Sequence, residues 1–111
     1  MGVKKIRPII NFYLRELKKK IKVQKVILFG SFANGSANSE SDLDLVIVSP
    51  DFTGFSSDKR FSILYKARLH PATRKIAMDI FGFTPKEFDS ASPLTTLGEA
   101  KETGVVMFSH G

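Results

Sequence analysis

No cysteine occurs in this 111-residue chain. Its absence excludes disulfides and thiolate metal sites, and it fits a cytoplasmic setting. No apolar run approaches the ~18–20 residues that a membrane span needs. The basic N-terminal stretch lacks an apolar signal core, so secretion is not expected. Histidine is scarce. His70 and His110 lie far apart in sequence, which argues against a histidine metal cluster or a triad. His70, beside Pro71, reads as a helix terminus, and His110 as part of a frayed tail. Internal repeats and linker-like stretches are also missing. Acidic residues are few, 11 against 17 basic ones for a net charge of +6, and nearly absent from the start. Residues 1–25 hold nine Lys/Arg and one Glu, so that segment carries +8 and the remainder −2. A basic segment on a near-neutral body can attract phosphate-rich ligands, and it can equally be a solvated helix face.

What is present is an ordinary globular composition, 42% hydrophobic and 25% charged, enough for one domain spanning 1–111. Pro8 suits the first position of a helix. Ile9, Ile10, Tyr13, Leu14, Leu17 and Ile21 recur at helical spacing, and Lys18, Lys19, Lys20 and Lys22 complement the end of the helix dipole, so residues 8–22 are predicted as an amphipathic helix. Lys25–Phe29 and Leu43–Val48 read as buried strands, separated by a small polar stretch over 33–41. Residues 51–57 read as a loop. Asp58–Leu69 has the apolar spacing of a helix stopped by His70-Pro71. Ile76–Phe83 reads as a third strand. Thr84-Pro85-Lys86-Glu87 carries an N-cap, a first-position proline and a capping box. Ser92-Pro93 opens a last helix through Glu102, Gly104 ends it, and Val105–Phe108 forms a final strand. This order predicts an α/β (α+β) fold, a mixed sheet packed on one side by helices. Most of the ten phenylalanines are expected in the core. Phe52 and Phe55, in the loop after the second strand, could also flank a base or a partner, with core packing favoured.

Three features ask for a joint explanation. Gly30-Ser31 directly follows a strand. Asp42 and Asp44 stand two apart at the start of the next strand, where alternate residues share a face. Two carboxylates so placed repel each other unless a cation intervenes, and oxygen ligands of this kind suit Mg²⁺; the alternative is a solvated strand end. Asp79 interrupts an apolar strand, where a carboxylate should pair with a cation such as Arg74 or Lys75, stay protonated, or bind metal. Gly30 lets backbone approach a ligand closely, and Ser31 adds a hydroxyl beside N–H groups that can face phosphate. Alone, Gly-Ser is ordinary turn chemistry.

Together, Gly30-Ser31, ten intervening residues and Asp42-Leu43-Asp44 resemble the signature of the minimal nucleotidyltransferases (MNT) of the polymerase-β-like superfamily. Ile27-Leu28-Phe29-Gly30-Ser31-Phe32-Ala33 is similar to that family's first strand and turn, and Asp42–Val48 to its second strand. Asp79 falls where the family has its third carboxylate. Phe83–Phe88 and Gly104-Val105-Val106 resemble its tail. The resemblance implies a polymerase-β-like palm in which Asp42, Asp44 and Asp79 hold two Mg²⁺ ions and perform the catalysis. Gly30 and Ser31 would bind the phosphates of a nucleoside triphosphate such as ATP. It further implies transfer of AMP to a hydroxyl acceptor, with a HEPN-type helical protein as partner in a toxin–antitoxin module, or self-association. Binding of that partner with little catalysis, and nucleic-acid binding through the basic first helix, are the alternative functions. One departure stands out: no Arg or Lys occurs between Ser31 and Lys59. The charge to meet a triphosphate would then come from the basic helix or a partner.

Overall fold

Ile6, Ile10, Tyr13, Leu14 and Leu17 share one face of helix α1 (Val3–Leu17), and all five are buried. Burial of each such side chain contributes roughly 1.5–3 kcal/mol. In the computed structural model, which describes residues 3–38 and 40–110, this helix lies several residues earlier than the spacing predicts. Pro8 sits inside it rather than at its first position. There proline removes the N–H that would reach the Lys4 carbonyl, a loss the buried stripe on both sides outweighs. The helix ends at Leu17 in a turn where the Lys18 and Ile21 N–H groups donate to the Leu14 and Leu17 carbonyls (2.8 and 3.1 Å). Ile21 and Val23 are still buried, but from the connection into the sheet.

The sheet comprises β1 (Lys25–Phe29), β2 (Leu43–Val48), β3 (Met78–Phe83) and β4 (Val105–Ser109), in the order β3-β2-β1-β4. β1 pairs antiparallel with β2 and with β4, whereas β2 and β3 are parallel. β1 and β2 occupy the predicted residues because each is a short apolar run closed by turn chemistry. β3 starts two residues later than predicted. Between β2 and β3 lie a 3₁₀ turn at Pro50–Phe52, helix α3 (Ser57–Lys66) and a second 3₁₀ turn at Pro71–Thr73. Short helix α2 (Ser31–Asn34) leaves β1 directly.

Two apolar clusters flank the sheet. Val26, Leu28, Leu45 and Ile47 join α1, Phe52 and Leu64 in the larger one. Ile27, Val46 and Val48 meet Phe88 and Ala100, from α4 (Pro85–Asp89) and α5 (Thr96–Thr103), on the opposite face. The expected one-sided packing is therefore corrected: residues of both faces of the central strands are apolar and both are covered. α4 has the predicted capping box: the Thr84 N–H donates to Glu87 Oε1 (2.7 Å) and the Glu87 N–H to Thr84 Oγ1 (3.1 Å). α5 begins at Thr96, capped by Thr95, rather than at Ser92-Pro93. Phe52 is fully buried, and Phe55 packs partly buried against the same core. His70 caps the 3₁₀ turn, its Nδ1 accepting from the Ala72 N–H (3.0 Å). The His110 N–H donates to the Gln24 carbonyl (2.8 Å), so this end of the chain is tied to the sheet rather than frayed. Among the described residues, no helix is long and apolar enough to cross a membrane.

Candidate active site

β1 delivers Gly30 to the rim of the sheet. Its backbone adopts φ 75° and ψ −152°, a region open essentially only to glycine. This conformation turns the chain sharply out of β1 into α2, where the Gly30 carbonyl accepts from the Ala33 and Asn34 N–H groups (both 3.1 Å). Ser31, half-buried, is the first residue of α2. Across the antiparallel ladder Phe29 stands opposite Asp44. The Asp44 side chain lies so close under the turn that a Cβ added to Gly30 would overlap its Oδ2.

Asp44 faces Asp79 in turn, as register partners on the parallel strands β2 and β3. Asp42 precedes β2 and is exposed, while Leu43 and Leu45 are fully buried, which gives the alternation expected of this strand. Asp79 is also exposed. The expectation of a costly carboxylate inside a buried strand is thus corrected: β3 is an edge strand, and Asp79, near its start, stays exposed although Phe83 on the same face packs against the second cluster. Among the described residues Asp79 makes no ion pair with Arg74 or Lys75.

The electrostatics fit this crowding. Partial burial is the largest influence holding the Asp44 carboxyl above the usual carboxylate range. The charges of Asp79 and Asp42 add to it, as does a side-chain hydrogen bond with Asp79. A carboxyl raised by its neighbours in this way is relieved by a cation beside it. Among the described residues no three acidic or imidazole groups converge into a ready-made metal cage. A closely apposed pair with a third carboxylate at hand is the donor set from which Mg²⁺ takes one or two ligands, completing its shell with water and phosphate. The residues present fit such an ion.

Lys18, Lys19, Lys20 and Lys22 line an open cleft with Phe108 and His110. That cleft lies where the chain enters β1, whereas Gly30 lies where it leaves. Five residues of strand, ~16 Å, separate the two. This lysine cluster does not supply the positive charge missing after Ser31.

The profile of the nucleotidyltransferase domain family matches residues 10–93, a span that holds the Gly30-Ser31 turn and all three aspartates. The chain belongs to the nucleotidyltransferase domain family. Two relatives come from Methanocaldococcus jannaschii, both provisionally named protein adenylyltransferases. MJ1215 is 34% identical over 53 residues, which cover 45% of this chain and 62% of that protein. MJ1379 is 40% identical over 42 residues, covering 38% of this chain and 42% of that one. The matched segments thus span less than two thirds of either relative. The fold recurs in a crystal structure of a provisionally named nucleotidyltransferase from Sulfolobus solfataricus (TM-score 0.68, 16% identity, 92% of this chain and 78% of that one). It also recurs in a toxin–antitoxin structure with AMP-PNP (0.63, 20%, 90% and 73%) and in a mutant of the MntA-HpeT toxin–antitoxin (0.61, 19%, 90% and 72%).

Arg60 escaped the sequence reading. Its guanidinium donates to the Phe55, Gly82 and Phe52 carbonyls and to Glu87 Oε1 (3.1, 3.2, 3.1 and 2.7 Å). Through these bonds it joins α3 to β3 and α4. No local pattern marks such a residue, because its partners at Gly82 and Glu87 lie 22 and 27 positions away.

Proposed function

We propose that this member of the nucleotidyltransferase family transfers AMP from ATP, with Mg²⁺, to a hydroxyl of a protein partner of the helical HEPN type, and acts as the antitoxin of such a pair. The observation that carries the reading is the position of Asp44, wedged between the Gly30 turn on one side and Asp79 on the other. One carboxylate thereby adjoins both the place for phosphates and the place for an acceptor. The provisional names of the M. jannaschii relatives and the AMP-PNP in the toxin–antitoxin neighbour support the nucleotide and the protein acceptor.

In this reading the Gly30 and Ser31 N–H groups and the Ser31 hydroxyl hold the β and γ phosphates. Asp42 and Asp44 would hold Mg²⁺, which would supply charge neutralisation for the triphosphate and for the reacting oxygens. Asp79, exposed on the edge strand, accepts the proton of the incoming hydroxyl. Positioning and charge neutralisation do most of the work. The test is a calorimetric titration of ATP with and without Mg²⁺, followed by transfer from α-labelled ATP. Asp42→Asn is expected to abolish transfer while keeping the fold; full transfer by that variant would sink the assignment.

A second reading, an antitoxin that acts by binding with little catalysis, is favoured by one observation. No basic residue occurs between Ser31 and Lys59, and the lysine cluster sits at the other end of β1. ATP binding without transfer to any acceptor would support it. The lysine cleft keeps nucleic-acid binding as a third reading, and that binding would be steeply salt-dependent without Mg²⁺.

A further inference from the structure

β3 is an edge of the sheet, and its outer side is only partly closed. The Leu43 N–H donates to the Ala77 carbonyl and the Ser49 N–H to that of Phe83 (2.8 and 2.9 Å). In a parallel ladder this directs the main-chain groups of the odd-numbered residues toward β2 and those of the even-numbered residues outward. Two arginines of the α3 segment cap the outward carbonyls at both ends: Arg68 Nη2 donates to Ile76 (2.8 Å) and Arg60 Nη1 to Gly82 (3.2 Å). Between them, the outward groups of Met78 and Ile80 meet no partner among the described residues. A bare edge of this kind is a template for another strand.

The surroundings are built for one. A groove of about 550 Å³ follows this edge, with Phe61 and Leu64 on the α3 side and Asp79 and Phe81 on the other. Phe61 and Tyr65 stack at 5.7 Å between ring centroids, and both line the narrower end of the groove beside Met78 and Ile80. They are 63% and 51% exposed, so a row of aromatic surface one helical turn apart faces solvent. Asp58, Asp79 and Glu87 line the groove against Arg60. Arg60 is already paired with Glu87 at 2.7 Å and Arg68 lines only the narrower end, so Asp58 and Asp79 leave the wider groove with uncompensated negative charge.

We propose that this groove seats the acceptor: an extended, basic segment of a partner protein that adds a strand to β3. Its main chain pairs with Met78 and Ile80. Alternate side chains, on one face, are apolar and lie on Phe61 and Tyr65. The intervening side chain points to the opposite face, beside Asp79, and carries the hydroxyl. That oxygen attacks the α-phosphorus of the nucleoside triphosphate, its proton passes to Asp79, and the bond to the bridging oxygen breaks to release pyrophosphate. The inference rests on the nucleotidyl-transfer reading above, and it names the substrate as a strand-forming, basic polypeptide rather than a small alcohol or a nucleic-acid end.

The test uses short synthetic peptides in which a Tyr, Ser or Thr is flanked at alternate positions by apolar residues and ends in lysines or in glutamates. They are incubated with the protein, Mg²⁺ and α-labelled ATP, while calorimetry follows ATP binding separately. Lysine-ended peptides should be labelled preferentially. Phe61→Ser/Tyr65→Ser should cut labelling about tenfold or more with ATP affinity unchanged. Ile80→Pro, which deletes an outward N–H and no ladder bond, should do the same to labelling. Labelling by the folded Phe61/Tyr65 double variant within about twofold of wild type would overturn the proposal, whatever proline does at position 80. Wild-type protein that binds ATP but labels no peptide overturns the docking surface and leaves the triphosphate site standing. Failure to bind ATP at all overturns both.

Discussion

Gly30→Ala is the most searching perturbation of the site. Alanine at φ 75° and ψ −152° is held in a region that costs a non-glycine residue roughly 1–3 kcal/mol. Reduced freedom of the unfolded chain returns about 0.4–1 kcal/mol, which leaves a net loss of roughly 1–2 kcal/mol. At about 2.1 cal/mol/K of unfolding entropy per residue over 111 residues, that is a fall in melting temperature of roughly 4–9 °C. The new methyl also overlaps Asp44 Oδ2, so the carboxylate must move and, if the proposed function holds, Mg²⁺-dependent ATP binding should be lost. Gly35→Ala separates the two effects. Gly35 also has a positive φ, 82°, but open space where a Cβ would stand. It should lose about 1 kcal/mol and keep ATP binding. Thermal melts and ATP calorimetry on both variants decide the matter. A Gly30→Ala protein that melts within about 1 °C of wild type and binds Mg²⁺–ATP normally would refute the argument that this turn and Asp44 form one unit.

Asp44→Asn removes a carboxyl that burial first, then Asp79 and Asp42, hold above its ordinary range. Such a group binds its proton more tightly folded than unfolded. Its contribution to stability is therefore full below the ordinary value near 3.9 and is lost as pH rises through the folded value. In metal-free buffer at pH 7 the variant should melt at the same temperature as wild type or higher, yet fail to bind Mg²⁺–ATP; a lower melting temperature would contradict this. Arg60→Lys cannot reproduce four directed bonds and should cost roughly 2–3 kcal/mol in urea unfolding; a loss below about 0.5 kcal/mol would show that the guanidinium network is dispensable. Burial alone would raise the Glu87 carboxyl, but hydrogen bonds from Thr84 and Arg60 outweigh it and hold it low. Its stabilisation is thus present above about pH 4.3 and lost as pH falls through the lower folded value, so Glu87→Gln should flatten the acid limb of the stability curve. Tyr13→Phe deletes the buried bond from the Tyr13 hydroxyl to the Leu64 carbonyl (2.8 Å) and should cost about 1–2 kcal/mol, read as a shift in the urea midpoint at unchanged slope.

Legibility in the sequence followed the range of the interactions. β1 and β2 could be placed to the residue, because apolar runs bounded by Gly30-Ser31 and Ser49-Pro50 leave little choice. The Thr84/Glu87 capping box was readable because its partners are three residues apart. α1 was misplaced because Ile21 continues the apolar spacing after the helix has ended and Pro8 reads as a first residue. The exposure of Asp79 depends on strand order, and an apolar run does not announce an edge. Packing on the second face rests on Phe88 and Ala100 meeting Val46 and Val48, contacts spanning some forty residues or more. The Gly-Ser and aspartate spacing did point to the set of residues that the fold brings to one end of the sheet. The opposition of Asp44 and Asp79 is a matter of parallel register, which the family resemblance implied and no local pattern of residues could show.

The two ends of β1 carry different chemistry. Lysines crowd the end where the strand begins, and carboxylates crowd the end where it stops. A polyanion held in the lysine cleft would lie a strand's length, ~16 Å, from the carboxylates, and occupancy of one end would leave the other open to solvent. A free triphosphate would meet repulsion from the aspartates, and the same molecule with part of its charge neutralised by Mg²⁺ would meet less.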